Sequence, residues 1–222
     1  MRGFSCGHLP QDPERQGPTV LIRFLLLCSL PATIWLFTPR VASGQVPPPE
    51  LQVAAAVLAA PPGQDSDAAV LGYDPSGRLV SLRDGNNELV CLADDPTNNG
   101  FSAACYHSSL EPYMARGRQL TAGGTTDGAE RNQIRWKEAD DGRLSMPDGP
   151  VTLYVLTGSE YDPETDEVVD AYLRYVIYVP WATLESTGLP AQPLGPGSPW
   201  LMFPGTAGAH IMISPPRPGG GP

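Results

Sequence analysis

SPWLMFPGTAGAHIMI, residues 198–213, decides how the rest of the chain is read. Two apolar runs, 200–203 and 209–213, flank the connector PGTAG, whose two glycines and one proline are the composition of a hairpin with a longer loop. Symmetric pairing sets Met202 opposite His210 and Leu201 opposite Ile211. Side chains alternate along a strand, so Leu201, Phe203, Ala209, Ile211 and Ile213 share one face. Trp200, Met202, His210 and Met212 share the other. Both faces are apolar apart from one histidine, which predicts a hairpin in the middle of a covered sheet.

Working back along the chain, VTLYVLT (151–157) and VVDAYLRYVIYV (168–179) are β-branched and aromatic throughout and read as the strongest strands. A long acidic loop, 158–167, joins them. Three shorter strands are expected at 69–73, 78–82 and 88–92, the second and third paired as a hairpin around RDGNN. ELQVAAAVLAA (50–60), bounded by prolines, predicts a short helix with Glu50 at its favourable end. Ser102 is placed to cap a second helix running from 103 to about 116, with Gly117 as its stop. Tyr106, Leu110, Tyr113 and Met114 then face the core at helical spacing, and Pro112 interrupts the ladder. The segment 119–132 reads as exposed loop, 134–136 as a short strand, and 182–186 as one helical turn.

These elements predict an α+β fold: an antiparallel sheet of short strands with an N-terminal helix and one disulfide-stapled helix. A single domain spans 45–213, followed by a disordered Pro/Gly tail at 214–222.

The chain has 222 residues and a net charge of −10. Residues 19–37 are mostly apolar, with Arg2 and Arg15 before them and Val41-Ala42-Ser43-Gly44 after, the pattern of a secretory signal peptide over 1–44. Arg23 and Pro31 interrupt the run, which favours cleavage near Ser43 or Gly44 over a retained anchor. The mature chain is then periplasmic or extracellular and has no transmembrane segment. The leader holds four arginines and two acids, so the remainder carries 10 basic and 22 acidic residues. That balance excludes nucleic acid as a partner class, since phosphate binding needs basic clusters. Cys6 and Cys28 fall in the leader. Cys91 and Cys105 remain, an even pair in an exported chain, and read as a disulfide.

LVCLADDPTNNGFSAAC, the YM at 113–114, the later strand pair and the closing PWLMFPGTAGAHIM together resemble an uncharacterised family of exported bacterial proteins. Its members share two cysteines flanking a D-D-P-like loop and a closing motif similar to P-W-x-M-x-x-G-T-x-x-A-H-x-M. The matching positions include Cys91, Asp94, Asp95, Pro96, Cys105, Trp200, Met202, Gly205, Thr206, Ala209, His210 and Met212. The resemblance covers roughly residues 50–213. It implies export and pairing of the cysteines, and it brings no activity with it.

Two groups of residues carry the candidate chemistry. On the face bearing Trp200, Met202, His210 and Met212, an imidazole and thioethers lie together, a donor set that suits Cu(I). The same residues also read as core packing, with His210 bonded to a backbone carbonyl. His107 and Glu111 stand four apart and share a helix face, and the disulfide brings Asp94 and Asp95 near them. A zinc or acid–base site could be built there. The acids of 162–167 alternate like calcium ligands but lack the glycine and closing glutamate of an EF-hand loop. No G-x-S-x-G, H-E-x-x-H or phosphate-cradling loop is present. The expectation is an exported, non-catalytic module, without a required cofactor, that binds a small molecule or an envelope protein. The alternatives are a copper protein using His210, Met202 and Met212, and a hydrolase using His107 or His210 with Asp/Glu.

Overall fold

The computed structural model describes residues 45–217. The expected leader and residues 218–222 of the tail lie outside them. Helix α1, Pro49–Val57, starts where Pro49 presets the backbone and Glu50 meets the positive helix end. Its small side chains let it lie close on the sheet, and Ala55, Ala56 and Ala59 are buried. The strands are β1 Ala69–Tyr73, β2 Leu79–Arg83, β3 Leu89–Leu92, β4 Phe101–His107, β5 Val151–Gly158, β6 Tyr161–Asp162, β7 Glu167–Val168, β8 Tyr172–Tyr178, β9 Trp200–Met202 and β10 His210–Ile213. Three further helices are α2 Glu111–Ala122, α3 Gly128–Asp140 and α4 Leu184–Thr187. None of the helices among the described residues is long and apolar enough to cross a membrane.

Eight strands form one sheet in the order β2-β1-β3-β4-β5-β8-β10-β9, and β6 pairs with β7 as a separate ribbon. Only β1 and β3 run parallel. Both faces of the sheet are covered. On one, α1 packs over Val70, Cys91, Phe101, Ala103, Cys105 and Leu156. On the other, Tyr106, Leu153, Val176 and Tyr178 form a second core with Leu110, Tyr113 of α2 and Trp136 of α3.

The α+β class, the N-terminal helix and the mostly antiparallel sheet of short strands agree with the sequence. So does the closing hairpin, with Met202 opposite His210 and Leu201 opposite Ile211. Its position differs: β9 is the edge strand, not the middle of the sheet. Its outer backbone is engaged nonetheless, because Leu201 N–H donates to Pro190 O at 2.9 Å, and Leu201 is fully buried. Two apolar faces therefore report a covered strand, which is not the same as a central one.

The first three strands also pair differently. β2 returns on β1, not on β3. The Asp74–Gly77 turn closes this hairpin locally: Gly77 N–H donates to Asp74 O, and the Asp74 carboxylate accepts from the backbones of Ser76 and Arg78. The RDGNN connector instead carries the chain across to β3. Its Asn86 and Asn87 amides donate to Asp67 O, and a Cβ on Gly85 would stand 2.4 Å from the Ala69 nitrogen.

The stapled element needs the largest correction. Residues 101–107 are strand, and Cys105 lies directly across from Cys91 with their Cα atoms 4.0 Å apart. The disulfide therefore joins two strands. The helix begins only at Glu111, where Pro112 falls in the first turn and its missing N–H costs nothing. Residues 134–136 belong to α3, which Asp127 caps by accepting from Glu130 N–H at 2.7 Å. The turn at 182–186 is α4, closed by a Thr183/Ser186 capping box. The first tail residues are held in place: Tyr172 Oη donates to Pro215 O, and Arg217 lies over the Tyr172 ring.

Candidate functional site

A cleft of about 370 Å³ opens between the segment preceding α1, α1 itself, the loop after β3 and the turn after β5. Val46, Pro47, Leu51 and Ala55 form its apolar wall, with Phe101 and Tyr161 across from them. Each wall has a local cause. Pro47–Pro48 is extended, as consecutive prolines dictate, and Gln52 Nε2 donates to Pro47 O at 2.7 Å. The same amide group grips the end of β1, donating to Tyr73 O at 2.9 Å and accepting from Tyr73 N–H at 2.7 Å. Gln52 is 5 % exposed, so α1, β1 and the lead-in segment share one buried side chain.

The 94–100 loop is closed by its own acids. Asp95 Oδ1 accepts from the Thr97 backbone and hydroxyl, and Asp94 Oδ1 accepts from Ser102 N–H at 2.9 Å. Phe101 pairs with Gly158 at the start of β4. Gly158 has no room for a side chain, since a Cβ would lie 2.3 Å from Val168 Cγ1 and 2.5 Å from Val169 O. The chain thus turns closely enough to set the Tyr161 ring 6.5 Å from that of Phe101. Tyr161 Oη donates to Asp166 Oδ1 at 2.8 Å, which fixes the far end of the ring.

Asp94 and Glu160 are the ionisable carboxylates of this lining, which holds no lysine, arginine or histidine among the described residues. Burial pushes the Asp94 carboxyl above its ordinary value, and the neighbouring Asp95 charge adds to the effect. The phenol of nearby Tyr73 is pushed up to about 12, by burial first and then by Asp95 and Asp94.

The residues singled out from sequence fall elsewhere, apart from Asp94. Trp200, Met202, His210 and Met212 do share one face, with Met202 opposite His210 and Trp200 opposite Met212. This face points into the second core. His210 Nδ1 donates to Gly208 O at 2.7 Å, and its ring packs between Tyr178 and Phe203. Gly208 is required for this packing: a Cβ there would stand 2.2 Å from Trp136 Nε1 and 2.7 Å from Tyr113 Oη, which hydrogen-bond to each other. Among the described residues no group of three or more His, Cys, Asp or Glu side chains is poised around a common point.

Burial holds the His210 imidazole below its ordinary pKa, against the opposing pull of the Gly208 carbonyl. For a base whose folded value is depressed, the unfolded chain binds the extra proton. Its stability contribution is complete above pH ~6.5 and is lost as pH falls through the folded value. Stability to urea should therefore decline as pH falls below ~6.5, by at most about 1.4 kcal/mol per pH unit for one proton. His210→Gln should flatten that segment of the profile.

His107 and Glu111 do not share a helix face, because the strand ends at His107 and α2 begins at Glu111. His107 Nδ1 accepts from Ser109 N–H and faces Ser109 Oγ at 2.8 Å, capping a single 3-10 turn. Glu111 instead accepts from Tyr106 Oη and pairs with Arg118. Asp94 is bonded to Ser102 at the opposite end of β4, five residues or about 17 Å from His107. The four do not converge. The acids of 162–167 serve the β6–β7 turn, where Asp162 accepts from Glu164 N–H.

The cleft itself escaped the sequence reading. Its one local signal is Gln52, a polar residue on the inward side of an otherwise apolar helix. No family model, curated protein or solved structure matches the chain.

Proposed function

We propose that this chain is an exported binding module that holds a small organic molecule in the cleft beside α1. The cleft carries the reading: its walls are preformed, apolar and aromatic, with a few polar groups, which is the usual build of a small-molecule site. Its volume, about 370 Å³, suits a small ligand. Export is supported by the apolar leader ending in Ala-Ser-Gly and by the Cys91–Cys105 disulfide, which belongs to an oxidising compartment. A binding role without turnover agrees with the use of the one Ser–His contact among the described residues, Ser109 to His107, as a local cap.

The test is a titration of the isotope-labelled protein, recovered after export, with a panel of small organic molecules. Saturable shifts at the amides of Leu51, Phe101 and Tyr161, with the molecule recovered unchanged, are expected. Absence of any saturable shift at the cleft, or chemical conversion of the molecule, would sink the reading.

A further inference from the structure

We infer that the cleft is built for an organic ammonium ion, a cationic head on a small apolar body. The inference rests on the binding role proposed above and adds the chemistry of the ligand. Three independent features of the lining point the same way.

The first is charge. Asp94 and Glu160 line the cleft and, among the described residues, no basic side chain does, so the side-chain charge of the lining favours a cation over an anion. The second is the state of Asp94. Its carboxylate is hydrogen-bonded by backbone amides, those of Ser102 and Asp95, and the Asp94 side chain takes part in no ion pair among the described residues. A carboxylate partly removed from water and lacking a cation gains most when a ligand brings one. The third is the aromatic pair. Phe101 and Tyr161 present ring surface in the same lining, and a ring face attracts a desolvated cation where it would be indifferent to an alcohol. Leu51, Ala55 and Pro47 then offer the surface for the apolar body.

The experiment compares three probes of matched shape on the exported, full mature chain: phenethylammonium, 2-phenylethanol and phenylacetate. Affinity is read from amide shifts at Leu51, Phe101 and Tyr161. The expected result is an ammonium preference of about tenfold or more over the alcohol, the size of one charge-assisted contact, with no binding of the carboxylate. Asp94→Asn keeps the acceptor for Ser102 N–H while removing the charge, and should erase most of that preference for the ammonium over the alcohol. Equal binding of ammonium and alcohol would overturn the inference and leave the binding role standing. Preference for phenylacetate would overturn it too. Failure of all three probes to reach the cleft, in a protein whose amide spectrum remains folded, would overturn both.

Discussion

Replacing Cys91 and Cys105 together with alanine should lower stability by about 3 kcal/mol. The bond joins residues 14 apart in sequence, and closing a loop of about this length removes that much conformational freedom from the unfolded chain in the entropy model. For a domain of this size the melting temperature should fall by roughly 6–12 °C. Both cysteines are fully buried against α1, so serine replacements should fare worse than alanine, each setting a hydroxyl among apolar neighbours. The loop enclosed by the bond is the one that carries Asp94. Loss of the bond should therefore weaken ligand binding as well as folding. Calorimetric scans with and without reductant check the first effect: the reductant should shift the native protein and leave the alanine pair unmoved. Coincident scans for native and double-alanine proteins would show that the staple adds nothing.

That staple illustrates what was legible in the sequence. The pairing of Cys91 with Cys105 follows from export and an even count, but not what the pair joins. FSAACYH hides its strand character because both faces of β4 are covered: Phe101, Ala103 and Cys105 go under α1 while Tyr106 enters the second core. With polar residues only at Ser102 and His107 there is no period of two to read, and Ser102 then looks like a helix cap. The His107/Glu111 idea depended on that helix and fell with it. By contrast, β5 and the β9–β10 register are legible because they depend on local composition and on one short loop, and of the strand expected over 168–179 residues 172–178 form β8 while Val168 belongs to the β6–β7 ribbon.

The cleft was illegible for another reason. Leu51, Asp94 and Tyr161 lie far apart along the chain, and only the strand order brings them to one place. Parallel pairing of β1 with β3, which sets the loop beside α1, has no local signature. Composition could flag Asp94 as an acid in a loop. It could not show that the acid borders an apolar cavity and has no cationic partner among the described residues.

Gln52→Leu is expected to be nearly as damaging as loss of the disulfide, about 2–4 kcal/mol, although leucine is the better helix former on the apolar face of α1. The amide makes three hydrogen bonds, two to the Tyr73 backbone and one to Pro47 O. Leucine cannot replace any of them, and the Tyr73 N–H and C=O would be left without their partner beneath the helix. A buried donor or acceptor stranded in this way costs about 1–3 kcal/mol, and more than one is stranded here. Gln52→Glu should not rescue the site. Its carboxylate could still accept from Tyr73 N–H, yet it would face two carbonyl oxygens that need a donor. Hydrogen exchange separates this account from simple loss of packing: the Tyr73 amide should lose protection selectively in Gln52→Leu, ahead of the β4 and β5 amides. The binding consequence is equally specific. With Pro47 released, the wall formed by Val46 and Pro47 should come away from α1, and affinity for any cleft ligand should fall even at temperatures where the sheet stays folded. A Gln52→Leu protein that kept both Tyr73 protection and full affinity would mean that the lead-in segment is held by something other than this side chain.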